Sequence, residues 1–289
     1  MLSYLHSFHA GNFADVLKHS VSAHILNYLT EKPKPVFYLD THSGTGAFSL
    51  THNEAQKTQE YLNGIAKLWA LSASEKAKLP DLLKSYITLI EQFQNSELDT
   101  NTDSLTVYPG SPWFASELLR EHDRLSLFEL HPREFQTLLK NIRGDRRIKA
   151  FQKDGFHACI SQLPPKERRG YVLMDPPYEV KQDYKTAVDS LIAAHKKFAS
   201  GTYALWYPVV DRYRIDEIEK QFKSSGIKNI QLLELGIGRD QDQGMTASGM
   251  IIINPPWTLM PQAKQALPYL AKLLGGSLGS YRCIQLTEE

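Results

Sequence analysis

The chain has 289 residues, 42% of them hydrophobic and 22% charged, which is ordinary for a globular protein with a full core. Lys and Arg number 33 against 32 Asp and Glu, so the net charge is only +1. This balance argues against broad, non-specific coating of nucleic acid, although it is compatible with a local basic patch.

The cysteines and the N-terminus indicate a reducing compartment. Cys159 and Cys283 are the only cysteines, and their spacing is not that of metal ligands. No apolar stretch approaches membrane-spanning length, and the first four residues do not open a signal peptide. We therefore expect a cytoplasmic protein with neither a bound metal nor a membrane partner.

Short apolar runs alternate with helical patterns along the chain. The runs predict seven strands, at residues 36–39, 125–128, 148–151, 171–174, 202–207, 230–235 and 250–253. The intervening patterns predict helices at residues 112–121, 133–142 and 184–198. Strands that alternate with helices predict an α/β fold with a mostly parallel sheet covered on both faces.

One segment interrupts this alternation. Residues 40–124 separate the first predicted strand from the second, far more than the single crossover helix that would suffice. Leu62, Ile65 and Trp69 recur at helical spacing, and a second helical pattern covers residues 82–93. We predict a small helical insertion at residues 50–106 within a domain formed by residues 1–49 and 107–289.

A glycine-bearing loop follows the first strand. Asp40 begins it, and Gly44 and Gly46 allow the backbone to approach a ligand closely. A dinucleotide-binding loop requires a third glycine, where this chain has Ser49. An acid just before the glycines is instead typical of S-adenosylmethionine binding, which is the interpretation we favour over a plain tight turn.

Two further acids follow the second and third strands. Glu129 can accept hydrogen bonds from ribose hydroxyls, although it could also be an exposed loop residue. Asp154 and Gly155 can lie near the adenine of a cofactor, although Asp-Gly is also a common turn. Ligands of open α/β sheets collect at the carboxyl ends of the strands, which favours the binding interpretation.

The fourth strand runs into Asp175-Pro176-Pro177-Tyr178. The exocyclic amino group of adenine is a weak nucleophile, because its lone pair is delocalised into the ring. A carboxylate at Asp175 and the carbonyl of Pro176 can each accept one of its N–H groups, and Tyr178 can stack on the base. The alternative is that the two prolines simply end a strand.

A second sequence, Asn254-Pro255-Pro256-Trp257, also follows an apolar strand. It has an amide in place of the carboxylate. In the methyltransferase arrangement the last strand is antiparallel, which would place Asn254 at the opposite edge of the sheet. We therefore interpret this second sequence as a strand end.

With these residues in place, the chain resembles the class I S-adenosylmethionine-dependent methyltransferases with a Rossmann-like fold. More narrowly, it resembles the ribosomal RNA large subunit methyltransferase J family over essentially its whole length. The matching stretches are residues 1–4, 6–12, 14–19, 39–42, 108–112, 129–132, 154–156, 175–178, 204–208 and 244–250. The N-terminal stretches are the most specific, because generic methyltransferases lack them.

The resemblance implies S-adenosylmethionine as cofactor and methylation of N6 of one adenine in 23S rRNA, either naked or in an early ribosomal particle, by a monomer. It implies that Asp175 is catalytic, that Asp175 also borders the cofactor, and that Tyr4 contacts the RNA. Further positions that match cofactor contacts are His19, His42, Ser111, Glu129, Asp154 and Gly155. Ser43 and Thr45 depart from the alanines expected in the loop, and Phe13 replaces a polar residue.

Other functions remain open on sequence grounds. A DNA adenine-N6 methyltransferase would use the same chemistry, and a non-catalytic RNA-binding module could retain a vestigial pocket. A protein-glutamine methyltransferase usually has Asn at position 175, and an oxidoreductase would need the missing glycine. Two basic clusters, at residues 143–149 and 166–169, could bind phosphate or be solvated surface.

Overall fold

A computed structural model describes residues 5–97, 104–239 and 244–289 of the chain. Its centre is an eight-stranded sheet, with a separate two-stranded ribbon beside it. The strands are β1 (Phe37–Asp40), β2 (Ala47–Ser49), β3 (Val107–Pro109), β4 (Arg124–Phe128), β5 (Ile148–Phe151), β6 (Gly170–Met174), β7 (Thr202–Val209), β8 (Ile230–Gly236), β9 (Ala247–Ile253) and β10 (Ser280–Thr287).

The strand order of the large sheet is β10-β8-β9-β7-β6-β1-β4-β5. The five strands from β5 to β7 are parallel neighbours, and β9 runs antiparallel between β7 and β8. The predicted mostly parallel sheet with an antiparallel strand at residues 250–253 is therefore confirmed. The predicted count of seven strands was wrong by one, because β10 adds an antiparallel strand at the edge beside β8.

Helices cover both faces of the sheet. They are α1 (Phe13–Thr30), α2 (Asn53–Thr58), α3 (Ile65–Trp69), α4 (Ala73–Lys76), α5 (Asp81–Glu97), α6 (Ser111–Leu118), α7 (Pro132–Asn141), α8 (Gly155–Ser161), α9 (Gln182–Lys197), α10 (Arg212–Ser224) and α11 (Leu259–Gly275). One apolar core joins the sheet to α1, α5, α6 and α11, and the other joins it to α8, α9 and α10. Strands enclosed in this way are apolar along their length, as all five residues of β6 are buried.

Helices α2 to α5 occupy the segment that was predicted as an insertion. The chain leaves the sheet domain through β2 and returns through β3, and these strands pair with Ser49 opposite Val107. Leu83 and Tyr86 of α5 are buried in the same core as α1. The treatment of residues 50–106 as a separate subdomain stays a prediction, because their core is continuous with that of the sheet.

Across the described part of the chain, no helix combines the length and apolarity that a bilayer crossing requires.

Candidate active site

A cleft of about 290 Å³ opens at the carboxyl ends of β1, β4, β5 and β6. Gly44 and Asp175 both line it, so the glycine turn and the Asp-Pro-Pro-Tyr sequence share one cavity. The other lining residues that the sequence predicted are His19, His42, Ser111, Glu129, Asp154, Gly155 and Pro176. The structure thus brings together residues that lie far apart along the chain.

Asp40 lies beneath this cleft rather than in its wall. Its side chain is fully buried, and its Oδ2 accepts hydrogen bonds from Ser111 Oγ at 2.6 Å and Tyr38 OH at 2.9 Å. Its Oδ1 accepts from the backbone N–H of His42 at 3.2 Å. Burial raises the pKa of Asp40 to about 6 in spite of these donors. Asp40 therefore organises the loop from below.

The glycine turn is fixed to the carboxylate of Glu129. Gly44 has a φ of +58°, and its N–H donates to Glu129 Oε2 at 2.9 Å. The N–H of His131 donates to Oε1 at 2.7 Å. Burial raises the pKa of Glu129 although these two donors oppose the shift. Each carboxylate oxygen retains a further lone pair, which a ligand hydroxyl can use.

Gly46 does not line the cleft, unlike Gly44. It has a φ of +81°, and its carbonyl accepts the N–H of Gly110 at 2.9 Å. A Cβ built on Gly110 would lie 3.1 Å from the backbone of Gly46. Cofactor binding by Gly46 stays a prediction; in the structure this glycine forms a close backbone crossing beside the β2–β3 ribbon.

His42 enters the cleft in its neutral form. Its Nδ1 lies 2.8 Å from Thr41 Oγ1, and that hydroxyl has the carbonyl of Leu173 as an acceptor at 3.2 Å. The hydroxyl therefore donates to Leu173 and accepts from Nδ1–H, which leaves Nε2 as an acceptor. Burial lowers the pKa of His42 to about 4, and its ring contacts Phe156 edge-on at 4.9 Å.

His19 lines the opposite wall from a different polar environment. It is 1% exposed, and its Nδ1 lies 2.8 Å from the hydroxyl of Tyr108, which in turn meets that of Tyr86 at 2.9 Å. Its ring packs against Phe114 with centroids 4.9 Å apart. Burial lowers the pKa of His19 well below its usual range. His19 therefore offers a neutral ring edge to a bound ligand.

Asp154 and Gly155 form the start of α8. Asp154 is its N-cap, with Oδ1 accepting the N–H of Phe156 at 2.8 Å. A Cβ on Gly155 would lie 1.8 Å from the carbonyl oxygen of Thr41, so any other residue would push the two loops apart. The Asp-Gly pair therefore forms a turn and also lines the cleft. The interpretation as a common turn and the interpretation as a binding position are thus compatible.

Lys18 and Asp15 are the functional residues that sequence reasoning missed. Lys18 Nζ lies 2.5 Å from Asp175 Oδ2 and 2.8 Å from Asp15 Oδ1. Burial alone would lower the pKa of Lys18, but the two carboxylates outweigh it and raise that pKa. Although burial works in the other direction, the neighbouring His6 and Lys18 hold the pKa of Asp15 well below its usual value. The available signal was a charged pair three residues apart in an otherwise buried helix.

His6 adds a further group to this cluster. It lines the cleft, and its Nε2 lies 2.9 Å from Asp15 Oδ2. In the sequence, His6 appeared only as part of the matching stretch at residues 6–12. Tyr4, which was predicted to contact RNA, lies outside the described residues.

Tyr178 is placed behind the cleft wall rather than in it. It has a φ of +51°, and its hydroxyl donates to the carbonyl of Trp206 at 2.6 Å. Its ring centroid lies 4.4 Å from that of Tyr184 and 5.8 Å from that of Trp206. The role of Tyr178 as a base-stacking residue stays a prediction, while Pro176 and Pro177 line the cleft directly.

The opposite edge of the sheet holds the second Pro-Pro sequence, as predicted. Asn254 follows the antiparallel β9, and its side-chain amide donates to the carbonyls of Ala199 at 2.7 Å and Gly201 at 2.8 Å. The two basic clusters precede β5 and β6 and therefore lie at this edge too. Arg147 and Arg169 are hydrogen-bonded there to backbone carbonyls. Phosphate binding by the remaining basic residues stays open.

The donors and acceptors of the cleft fit S-adenosylmethionine. A carboxylate lies beside the glycine turn, a neutral imidazole lines the same cleft, and Gly155 lets the α8 turn pack against the carbonyl of Thr41, where a Cβ would clash. Phe48, Leu130 and Phe156 add apolar and aromatic surface to the cleft, which suits an adenosine. Within the described ranges, no group of three His, Cys, Asp or Glu side chains is arranged to hold a metal.

Comparisons with known proteins agree with this fold and site. A family model described as "Ribosomal RNA large subunit methyltransferase D, RlmJ" matches residues 33–287. A protein of Haemophilus influenzae, named Ribosomal RNA large subunit methyltransferase J, is 47% identical over 291 residues and covers 100% of both chains. The protein of the same name from Escherichia coli K12 is 46% identical over 281 residues and covers 96% of both.

A solved structure is also similar throughout. Protein LPL1258 of Legionella pneumophila superposes with a TM-score of 0.86 at 38% identity, covering 96% of this chain and 98% of that one. The sheet order and the antiparallel β9 are those of the Rossmann-like class I methyltransferase fold that the sequence predicted. The chain therefore belongs to the RlmJ family of ribosomal RNA large subunit methyltransferases.

Proposed function

We propose that this protein transfers a methyl group from S-adenosylmethionine to the N6 amino group of one adenine in 23S rRNA. The observation that carries the proposal is the position of Asp175 in the same cleft as Gly44 and Glu129. A methyl donor held by the glycine turn then lies beside a carboxylate suited to an exocyclic amine. The names of the two curated relatives support RNA of the large ribosomal subunit as the substrate.

The cofactor side of the cleft is formed by backbone and acidic groups. Glu129 would accept hydrogen bonds from the ribose hydroxyls, Asp154 and Phe156 would border the adenine, and the turn at Gly44 would hold the ribose and methionine portion. His19, His42 and Ser111 complete this side. The cofactor supplies the activated methyl group when it is bound, and each of these residues orients it without taking part in bond formation.

The substrate side is formed by the Asp-Pro-Pro sequence. Lys18 Nζ donates to Oδ2 of Asp175, which leaves Oδ1 to accept one N–H of the adenine amino group. The carbonyl of Pro176 accepts the other N–H. These two hydrogen bonds hold the nitrogen so that its lone pair points at the methyl carbon, and positioning of this kind can supply a large part of the rate.

Proton release completes the step. The amino nitrogen becomes acidic only as its bond to the methyl carbon forms, so Asp175 does not need to be a strong base. The proton leaves along the hydrogen bond to Asp175 Oδ1. The carboxylates of Asp15 and Asp175 raise the pKa of Lys18, so its ammonium group stays charged beside Asp175.

The target adenine must reach the cleft without its pairing partner. It enters from a single-stranded segment or is flipped out of a helix. Tyr178, held between Tyr184 and Trp206, supports the base side of the cleft. The family resemblance adds Tyr4 as a residue that contacts the RNA.

Methylation of a defined RNA tests this proposal. The protein is incubated with methyl-labelled cofactor and with 23S rRNA from a strain that lacks the enzyme, as naked RNA and as precursor particles. Digestion to nucleosides should yield labelled N6-methyladenosine from one site. Label in a different nucleoside, or transfer to duplex DNA but not to either RNA, would overturn the proposed substrate.

A further inference from the structure

The helical insertion grips the turn that precedes α1. Ile65, the first residue of α3, donates its N–H to the carbonyl of Gly11 at 2.8 Å. The carboxylate of Glu60 takes two bonds from the same turn, from His9 Nδ1 at 2.8 Å and Asn12 Nδ2 at 2.9 Å. We refer to residues 60–65 as the clasp.

The clasp and the turn are packed backbone to backbone. A Cβ added at Gly64 would lie 2.1 Å from the carbonyl oxygen of Gly11 and 2.5 Å from the carbonyl carbon of Asn12. Gly11 has a φ of +77°, and a Cβ there would lie 2.8 Å from the side chain of Ile65. Contact this close leaves the turn little freedom to move relative to the insertion.

The turn is hydrogen-bonded to the first residues of α1 and so fixes their position. Asn12 is the N-cap of α1, and its Oδ1 accepts the N–H of Asp15 at 3.0 Å. The N–H of Gly11 donates to Asp15 Oδ2 at 2.8 Å. Both contacts fix the residue whose other oxygen binds Lys18, one turn further along the helix.

We propose that the clasp sets the position of Lys18 against Asp175, and that Glu60 is a positioning residue for methyl transfer. The contacts run without interruption from Glu60 to Asn12, to Asp15, to Lys18 and to Asp175. The inference rests on the proposed function, since it assigns the insertion a role in the same reaction.

The Glu60 carboxylate is suited to this role because it accepts from two donors at once. Removal of the side chain takes this acceptor from both His9 and Asn12, so the N-cap residue of α1 loses its side-chain hydrogen bond to the insertion. Apart from Asp175, the predicted cofactor-binding residues are not part of this series of contacts. Loss of Glu60 should therefore affect the chemical step more than the binding of the cofactor.

Glu91 provides a matched control. It lies in the same insertion and pairs with Lys76 at 2.8 Å, and its side chain is 39% exposed against 35% for that of Glu60. The pair lies within the insertion, between α4 and α5. Glu91→Ala therefore removes an ion pair of the same kind from the same segment without touching the turn.

The experiment compares Glu60→Ala, Glu91→Ala and Lys18→Met, and it includes the double variant of Glu60→Ala with Lys18→Met. We expect Glu60→Ala to lower kcat about tenfold, because small displacements of a reacting group are costly. The KM for RNA and the calorimetric affinity for the cofactor should stay within about twofold, and Glu91→Ala should match the wild type within about twofold. In the Lys18→Met background, Glu60→Ala should change kcat by less than about twofold.

Each other outcome is informative in a defined way. If Glu60→Ala lowers kcat equally with and without Lys18, or if its effect is confined to KM, the clasp does not act through Lys18 and the inference is wrong. Equal losses in the Glu60 and Glu91 variants would show general destabilisation instead and would also overturn it. Failure of the wild-type protein to methylate RNA would contradict the proposed function rather than the clasp.

Discussion

Two strands of this sheet end in almost the same sequence, at opposite edges and with different consequences. After β6, Asp175 lines the cleft and is paired with Lys18, and Tyr178 is held by the carbonyl of Trp206. After β9, Asn254 donates its amide to two backbone carbonyls, and Trp257 is 75% exposed. The difference comes from strand direction, because β6 is parallel to its neighbours and β9 is not.

The two consecutive prolines give a strand a stiff end, but they supply no chemistry by themselves. The proposed methyl transfer also requires that the strand end face the cofactor loop. In addition, the residue before the two prolines must be a carboxylate with a cation beside it. Asn254, with a φ of +51°, closes the strand by bonding to the loop that precedes β7. Under the proposed function, the first sequence presents a catalytic carboxylate to the cleft, whereas the second only closes its strand.

Alanine at each first position is the strongest test of this contrast. Asp175→Ala should lower methyl transfer on the order of 10³-fold, because it removes the acceptor for the adenine amino group. Asn254→Ala should leave kcat within about twofold but lower the free energy of unfolding by about 2 kcal/mol, through two lost hydrogen bonds. The measurements are single-turnover rates and denaturant unfolding.

A large loss of kcat with Asn254→Ala, at a temperature where that variant is folded, would break the contrast. So would wild-type turnover by the Asp175 variant.

The carboxyl and amino edges should also differ in how pH affects stability. Asp40, at the carboxyl end of β1, has its pKa raised by burial from 3.8 to about 6. The folded state therefore binds more protons than the unfolded chain between about pH 4 and pH 6, and stability should fall by up to about 3 kcal/mol as pH rises through this range. Unfolding of wild type and Asp40→Asn across pH 4 to 7 isolates this contribution as their difference.

The opposite sign is expected at the amino edge. Burial alone would raise the pKa of Asp123, but hydrogen bonds from Arg120 and from the N–H of Val36 hold it below its usual value. The contribution of Asp123 to stability should be lost as pH falls through that lowered pKa.

For Asp40, the compared quantity is the difference in unfolding free energy between the wild type and Asp40→Asn. A difference that stays constant from pH 4 to 7 would rule out the raised pKa of Asp40.

The smallest expected effects concern the two aromatic residues. Tyr178→Phe should cost about 1 kcal/mol of stability, because it removes the hydrogen bond to the Trp206 carbonyl. Trp257→Ala should stay within about 0.5 kcal/mol, because the side chain is largely exposed. Thermal unfolding measures the loss of stability in each variant. Equal losses in the two variants would contradict the difference in burial between Tyr178 and Trp257.

Much of the site could be predicted because strand ends are local features. Asp175, Glu129 and Asp154 each follow an apolar run, and the shared edge of a parallel sheet brings them together. The pairing of Lys18 with Asp175 could not be read in the same way, because 157 positions separate the two residues. Only the packing of α1 against the sheet brings them into contact.

The missed strands have a physical reason as well. β10 lies at the sheet edge, and its residues are partly or fully exposed except Leu286, so it lacks the continuous apolar run that marked the buried strands. β2 and β3 have three residues each, too few for a period to be recognised. Gly46 stays a predicted cofactor residue, because a glycine required by a backbone crossing has the same sequence pattern as one that faces a ligand.

A structure of the protein with bound S-adenosylhomocysteine tests the shared cleft most directly. We expect the ribose at Glu129, the adenine beside Phe156 and the sulfur facing Asp175. The gap between the sulfur and Asp175 should admit one methyl group together with an amino nitrogen that lies about 3–3.5 Å from the methyl carbon. A cofactor bound with its sulfur pointing away from Asp175, or at another surface of the chain, would contradict the role given to that carboxylate.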